Sequence, residues 1–160
     1  MNIRIVAAVT AAAMISAVPV FAQDQFSVSA PTGWVQTGGP AGVLGLWVEQ
    51  NPNDFKQSLN LVSEPYSGSL TDYVAENRAA LASQEKGAKF GPEADSTTCG
   101  SHPAHFITWE TTLLGHDLLF EQMISIWSGR GYVLTYTRQS GEPELNAARV
   151  ALMTLCIRNQ

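Results

Sequence analysis

Apolar and polar side chains alternate almost without interruption through residues 104–138 (AHFITWETTLLGHDLLFEQMISIWSGRGYVLTYTR), and glycine breaks the alternation twice. A period of two marks a β-strand whose faces meet different surroundings. The stretch therefore predicts three consecutive antiparallel strands joined by two tight turns. Taking Gly115-His116 and Gly129-Arg130 as two-residue turns fixes the cross-strand partners. Glu110 then faces Glu121, and Glu121 faces Arg138. One face carries Ile107, Trp109, Leu113, Leu118, Phe120, Ile124, Ile126 and Val133. The other carries Phe106, Met123, Trp127, Tyr132, Leu134 and Tyr136, together with Glu110, Glu121 and Arg138. Such a sheet needs cover on one side and partial cover on the other, which predicts a sheet between helices.

Upstream, three shorter strands are predicted at residues 26–30, 42–50 and 58–64. The first is stopped by Pro31, and the second holds Gly45 at a bulge or a close approach. Residues 37–40 read as a loop, and Asn51-Pro52-Asn53-Asp54 as a turn. The period then lengthens. Ser69 with Asp72 three residues on resembles a capping box, and Leu70, Tyr73, Val74, Asn77 and Leu81 form one helical stripe. That helix should reach about Gln84. Gly87 and Gly91-Pro92 punctuate a loop, and residues 94–99 form a weak polar strand. Glu142-Pro143-Glu144 suits the first turn of a closing helix. Its stripe of Leu145, Ala148, Leu152, Leu155 and Cys156 would point Cys156 at the sheet.

The first 22 residues stand apart. Arg4, an apolar run from Ile5 to Val18, the helix breaker Pro19 and the small residues before Gln23 form the pattern of a secretory signal peptide cleaved after Ala22. The run falls short of the roughly 20 apolar residues a membrane span needs, and no lipid-attachment cysteine follows it. The expectation is a chain that does not span the membrane after cleavage, released to the periplasm or the exterior. One domain, residues 23–160, remains. Removing Arg4 leaves 9 − 1 = 8 basic against 14 acidic residues, a formal charge of 8 − 14 = −6. No basic cluster exists to release counterions from nucleic acid, so nucleic acid is excluded as the expected partner.

Two cysteines remain, Cys99 and Cys156. In an oxidising compartment two cysteines pair by default. Two buried thiols or a redox pair are the alternatives, although a redox pair favours the absent CxxC spacing.

Several strings resemble the Mog/PsbP-like family. Residues 26–34 (FSVSAPTGW) are similar to its opening strand and Pro-x-Gly-Trp turn, and residues 69–77 (SLTDYVAEN) to its first helix. Residues 131–137 (GYVLTYT), with Leu145, Leu152 and Leu155, are similar to its last strand and helix. The resemblance covers essentially the whole domain, including bacterial envelope members of the LpqN and DcrB types. It implies a single-domain α/β/α sandwich of the α+β class, with a mainly antiparallel sheet of about six to seven strands between two main helices. It also implies a non-enzymatic accessory or binding protein of the envelope, whose partner is an envelope protein or a small ligand. A lipid carrier and a hydrolase with a spatially assembled site remain the alternatives. The oligomeric state stays open.

Glu110, Glu121 and Arg138 are the row that core packing does not explain. Facing carboxylates need a cation or a shared proton. Either Arg138 bridges them on a solvated patch, or the row forms a ligand site. Trp34 and Trp127 are candidates for an aromatic binding rim. His102 and His105 run from a proline turn into a strand and would not share one ion. No cofactor or metal is expected. The chain has no Gly-x-Ser-x-Gly, phosphate loop or dinucleotide fingerprint, so no catalytic residue is assigned.

Overall fold

The computed structural model describes residues 25–51 and 55–158. The predicted leader, 1–22, and most of the Asn51–Asp54 turn lie outside the described residues. The elements run β1 (Gln25–Ser27), β2 (Val35–Thr37), β3 (Val43–Val48), β4 (Ser58–Pro65), α1 (Leu70–Gln84), β5 (Lys89–Thr98), β6 (His102–Leu113), β7 (His116–Trp127), β8 (Arg130–Gln139), α2 (Asn146–Met153) and β9 (Cys156–Arg158). Seven strands form one sheet in the order β2-β3-β4-β8-β7-β6-β5, every pair antiparallel, and β1 with β9 makes a separate ribbon.

The helices lie on opposite faces. Under α1, Tyr73 packs on Ile107, Ile124 and Val133, and Leu81 on Trp109, Leu118 and Phe120. Under α2, Ala148, Ala151 and Leu152 pack on Leu59, Leu61, Met123, Tyr132, Leu134 and Tyr136. The two faces are those that the alternation predicted, and the architecture is the expected α/β/α sandwich. Ser69 caps α1, its Oγ accepting a hydrogen bond from Asp72 N at 3.1 Å. At Gly45 the pairing slips, and a Cβ there would sit 2.6 Å from the Trp47 ring, so bulge and close approach coincide.

The turns are each one residue earlier than expected. Leu114 (φ 51°) and Gly115 (φ 83°) connect β6 to β7; Ser128 (φ 46°) and Gly129 (φ 77°) connect β7 to β8. Left-handed backbone at both central positions is the type I′ arrangement, whose twist matches that of the strands. Glycine therefore takes the second turn position rather than the first. Moving a turn by one residue moves the pairing by two, so each side chain keeps its face but changes its neighbour.

Other elements also differ from expectation. The first strand stops at Ser27 and pairs with β9 rather than with the main sheet. Val35–Thr37, next to the predicted loop, is an additional edge strand against β3. Gly91-Pro92 lies within β5 rather than in a loop, at a break in the β5–β6 register where the edge position spares proline a ladder bond. The closing helix begins at Asn146, not at the acidic residues before it, and ends at Met153. Cys156 is therefore not on the helix; it opens β9 beside Ser27.

Cys99 and Cys156 form the predicted disulfide, 57 residues apart in sequence. Beside it Thr98 Oγ1 donates to Leu155 O at 2.6 Å, and Cys99 N donates to Met153 O at 3.2 Å. These contacts tie the C-terminal unit to the sheet on the α2 face.

The fold makes two predictions. The Cys99→Ser/Cys156→Ser double variant should lose about 4 kcal/mol, the loop-entropy value for a closure of this length, read as a lower denaturation midpoint in urea. A midpoint equal to that of the oxidised parent would contradict it. A Cβ on Gly131 would overlap the Tyr73 ring that crosses it. Gly131→Ala should therefore cost about 2 kcal/mol, an overpacking penalty, and an unchanged unfolding curve would show that the α1 face is loosely packed.

Candidate functional site

Glu110, Glu121 and Arg138 share the α2 face but not one row. With the turns at Leu114-Gly115 and Ser128-Gly129, Glu121 faces Thr108 on β6 and Tyr136 on β8. Glu110 and Arg138 flank Leu119 instead. The predicted Glu110–Glu121 and Glu121–Arg138 pairings are thus replaced by diagonal relations, and the two carboxylates lead separate lives.

Glu110 is half exposed at the sheet end, with Lys89 Nζ 3.8 Å away. It lines a polar depression of about 210 Å³ with Lys89, Thr112, Asp117 and Ser140. A pair of this kind contributes little to stability. Glu121 is 3% exposed. Its nearest cation is Arg149 on α2, with Nε 3.9 Å from Oε1. Oε2 has no hydrogen-bond partner among the described residues.

Burial pushes the Glu121 carboxyl above the usual glutamate range; Arg149 opposes the rise, Glu144 adds to it, and Arg138 opposes it. At 3.9 Å Arg149 is too far for a charge-assisted hydrogen bond and does not offset the lost hydration. Instead, Arg149 Nη1 contacts both oxygens of Glu144, at 3.2 and 3.3 Å. The Arg149 guanidinium also lies over Phe106, 5.2 Å from the ring centre.

Tyr136 completes the layer. Its hydroxyl donates to Gln57 Oε1 and accepts from Leu145 N at 3.4 Å. Burial pushes the phenol up to about 12, so it remains a neutral donor at physiological pH. Arg138 does not bridge the two glutamates; its Nη1 donates to Glu142 O at 2.6 Å and holds the segment leading into α2.

The structure thus brings Glu121 and Arg138 into one buried polar layer and leaves Glu110 out of it. It adds Phe106, Tyr136, Glu144 and Arg149. An arginine beside the apolar stripe of the closing helix is the sequence signal that would have pointed to the last of these. Trp34 and Trp127 do not form one rim. Each is partly buried against the α2-side core, Trp34 near Tyr136 at a ring distance of 6.3 Å and Trp127 stacked on His102 at 3.4 Å. His102 also bonds Ile126 O through Nε2 at 2.7 Å. His105 points to the α1 face, with Nδ1 3.0 Å from Asp95 Oδ1. The two histidines are on opposite sides of the sheet, as strand geometry requires for residues three apart. Among the described residues no group of three or more His, Cys, Asp or Glu side chains is placed to hold a metal ion.

The architecture matches solved structures at low sequence identity. LpqN of Mycobacterium tuberculosis, described as involved in cell envelope biogenesis, superposes with a TM-score of 0.61 and 13% identity, over 85% of this chain and 84% of LpqN. The fold is Mog/PsbP-like. A Pseudomonas aeruginosa protein of unknown function, PA94, matches at TM-score 0.61 and 17% identity, covering 88% of each chain. A protein from Bacteroides thetaiotaomicron matches at TM-score 0.57 and 13% identity, over 84% of this chain and 46% of the other. No family model matches the sequence, and no curated protein matches it. Among the described residues, no helix is long and apolar enough to cross a membrane.

The buried carboxylate has a pH signature. Because its folded-state pKa is raised, the contribution of Glu121 to stability is full below its unfolded pKa and is lost as pH rises through the folded value. Glu121→Gln lacks that loss. Its stability relative to the parent should therefore climb as pH rises through and above the ordinary glutamate range, when unfolding free energies of the two are compared point by point. Parallel curves would show that Glu121 is hydrated.

Proposed function

We propose that this chain is an exported, non-enzymatic binding or accessory protein of the bacterial cell envelope. The observation that carries the reading is the fold held in common with LpqN, a protein of envelope biogenesis. Two features of the chain support it. The leader pattern of residues 1–22 directs export. The Cys99–Cys156 bond suits an oxidising compartment. The polar layer around Glu121 also suits recognition better than turnover. Its carboxyl is covered by α2, no histidine stands beside it among the described residues, Arg149 is engaged with Glu144, and Arg138 with the Glu142 backbone carbonyl.

Cell fractionation of a C-terminally tagged chain, followed by cross-linking and affinity capture, tests the proposal. The expected outcome is a leader-free, disulfide-bonded chain in the envelope fraction, bringing down a reproducible partner. A cytoplasmic chain with reduced cysteines would overturn the export half. Hydrolysis of a model ester by the pure protein, abolished in Glu121→Gln, would replace binding by catalysis.

A further inference from the structure

Arg149 stands where an external cation would stand. A carboxylate behind and an aromatic ring alongside is the general chemistry of a site for an organic cation. Here the carboxylate is Glu121 and the ring is Phe106, and the Arg149 guanidinium lies against both, 3.9 Å from Glu121 Oε1 and 5.2 Å from the ring centre. Yet Arg149 fills the place incompletely. The 3.9 Å separation is outside hydrogen-bonding range. Its Nη1 contacts go outward to Glu144. The Glu121 side chain is 4% exposed, with Oε2 unpartnered among the described residues. The Arg149 side chain, by contrast, is 48% exposed. A buried anion is costly unless it is paired and hydrogen-bonded. Here it is covered by a long, solvent-facing cation whose bonds are made elsewhere.

We infer that Glu121 and Phe106, with Glu144 at the rim, form a seat for a guanidinium or ammonium group; that Arg149 occupies it in the free chain; and that an arginine or lysine side chain of a protein partner takes its place. The inference rests on the proposed binding role and names the chemistry of the partner. Cation replaces cation, so the charge of the layer does not change. A guanidinium entering edge-on, its plane shared with the carboxylate, can meet both Glu121 oxygens as a bidentate pair, which Arg149, with Nε 3.9 Å from Oε1, does not. Arg149 loses little, since Glu144 can hold it at the surface. The acidic chain favours approach of a basic partner. The charged or titratable groups bearing on Glu121 are Arg138 and Tyr136 from β8, Arg149 from α2 and Glu144 from the segment before it.

Arg149→Ala empties the seat while removing only a half-exposed side chain. N-ethylguanidinium chloride is titrated into this variant, with sodium chloride at equal ionic strength as the control. The readouts are thermal midpoint and backbone amide shifts at Phe106, Thr108, Glu121 and Tyr136. The expected result is saturable shifts at these four positions and a raised midpoint. Apparent affinity should fall by about tenfold or more in Arg149→Ala/Glu121→Gln, as loss of a charged pair implies. The parent, whose seat is filled, should need more probe than Arg149→Ala. Shifts that do not saturate, or that persist without Glu121, would overturn the seat. Should Arg149→Ala fail to fold, Arg149→Gln, which keeps part of the aliphatic stem without the charge, carries the same titration. Affinity capture separates the two claims. A partner retained equally by the parent and by Glu121→Gln would overturn the seat as the docking point and leave the binding role standing. Saturable cation binding with no partner captured by any variant would overturn the binding role and leave the seat.

Discussion

The register of β6, β7 and β8 is the constraint on which the rest of the molecule depends. It is set by two turns, Leu114-Gly115 and Ser128-Gly129, with left-handed backbone at both central positions. A non-glycine residue in that conformation costs about 1 kcal/mol or more. Leu114 and Ser128 accept it because the type I′ twist lets long strands on both sides pair fully. Ten cross-strand partners then form between β6 and β7, and ten between β7 and β8. Parity decides which side chains face α1 and which face α2. Register decides which residue stands opposite which, and so leaves Glu121 between Thr108 and Tyr136 instead of against a second carboxylate.

Parity was legible in the sequence and register was not, for a physical reason. Alternation reports only which face a side chain takes, and it survives any shift of pairing by two. Glycine reports that a turn needs positive φ, but not whether it holds the first or the second turn position. A local rule therefore recovered both faces of the sheet, the capped helix α1 and the Gly45 bulge, yet misplaced the Glu110–Glu121 pairing. The short edges were harder still. Val35–Thr37 has three residues and pairs on one side only, so its pattern is too brief to separate from a loop. The end of α2 was lost because Leu155 and Cys156 keep helical spacing while the chain has already turned into β9. The disulfide was legible all the same, since compartment and cysteine count do not depend on the secondary structure around them.

The two faces of the sheet do different work. Under α1 the contacts are aromatic and aliphatic, with Tyr73 laid over Gly131 and Trp109 stacked on Phe120 at 3.9 Å. Under α2 an apolar core runs beside a polar layer. At one end the disulfide and the Thr98 bonds fasten the C-terminal unit to the sheet. At the other, α2 begins without a side-chain cap, and the segment before it is held by Arg138 and Tyr136. Glu121 lies beneath this less firmly fastened end. A carboxylate so placed contributes little to stability when ionised, which is why its surroundings read as recognition chemistry more readily than as core.

Cross-strand proton contacts in an NMR spectrum of the folded protein test the central claim most directly. The type I′ register predicts a close Hα–Hα contact between Thr108 and Glu121, since non-hydrogen-bonded antiparallel pairs bring their Cα atoms to about 4.5 Å. Contacts that instead join Thr111 to Phe120 and set Glu110 opposite Glu121 would restore the facing carboxylates and contradict the account.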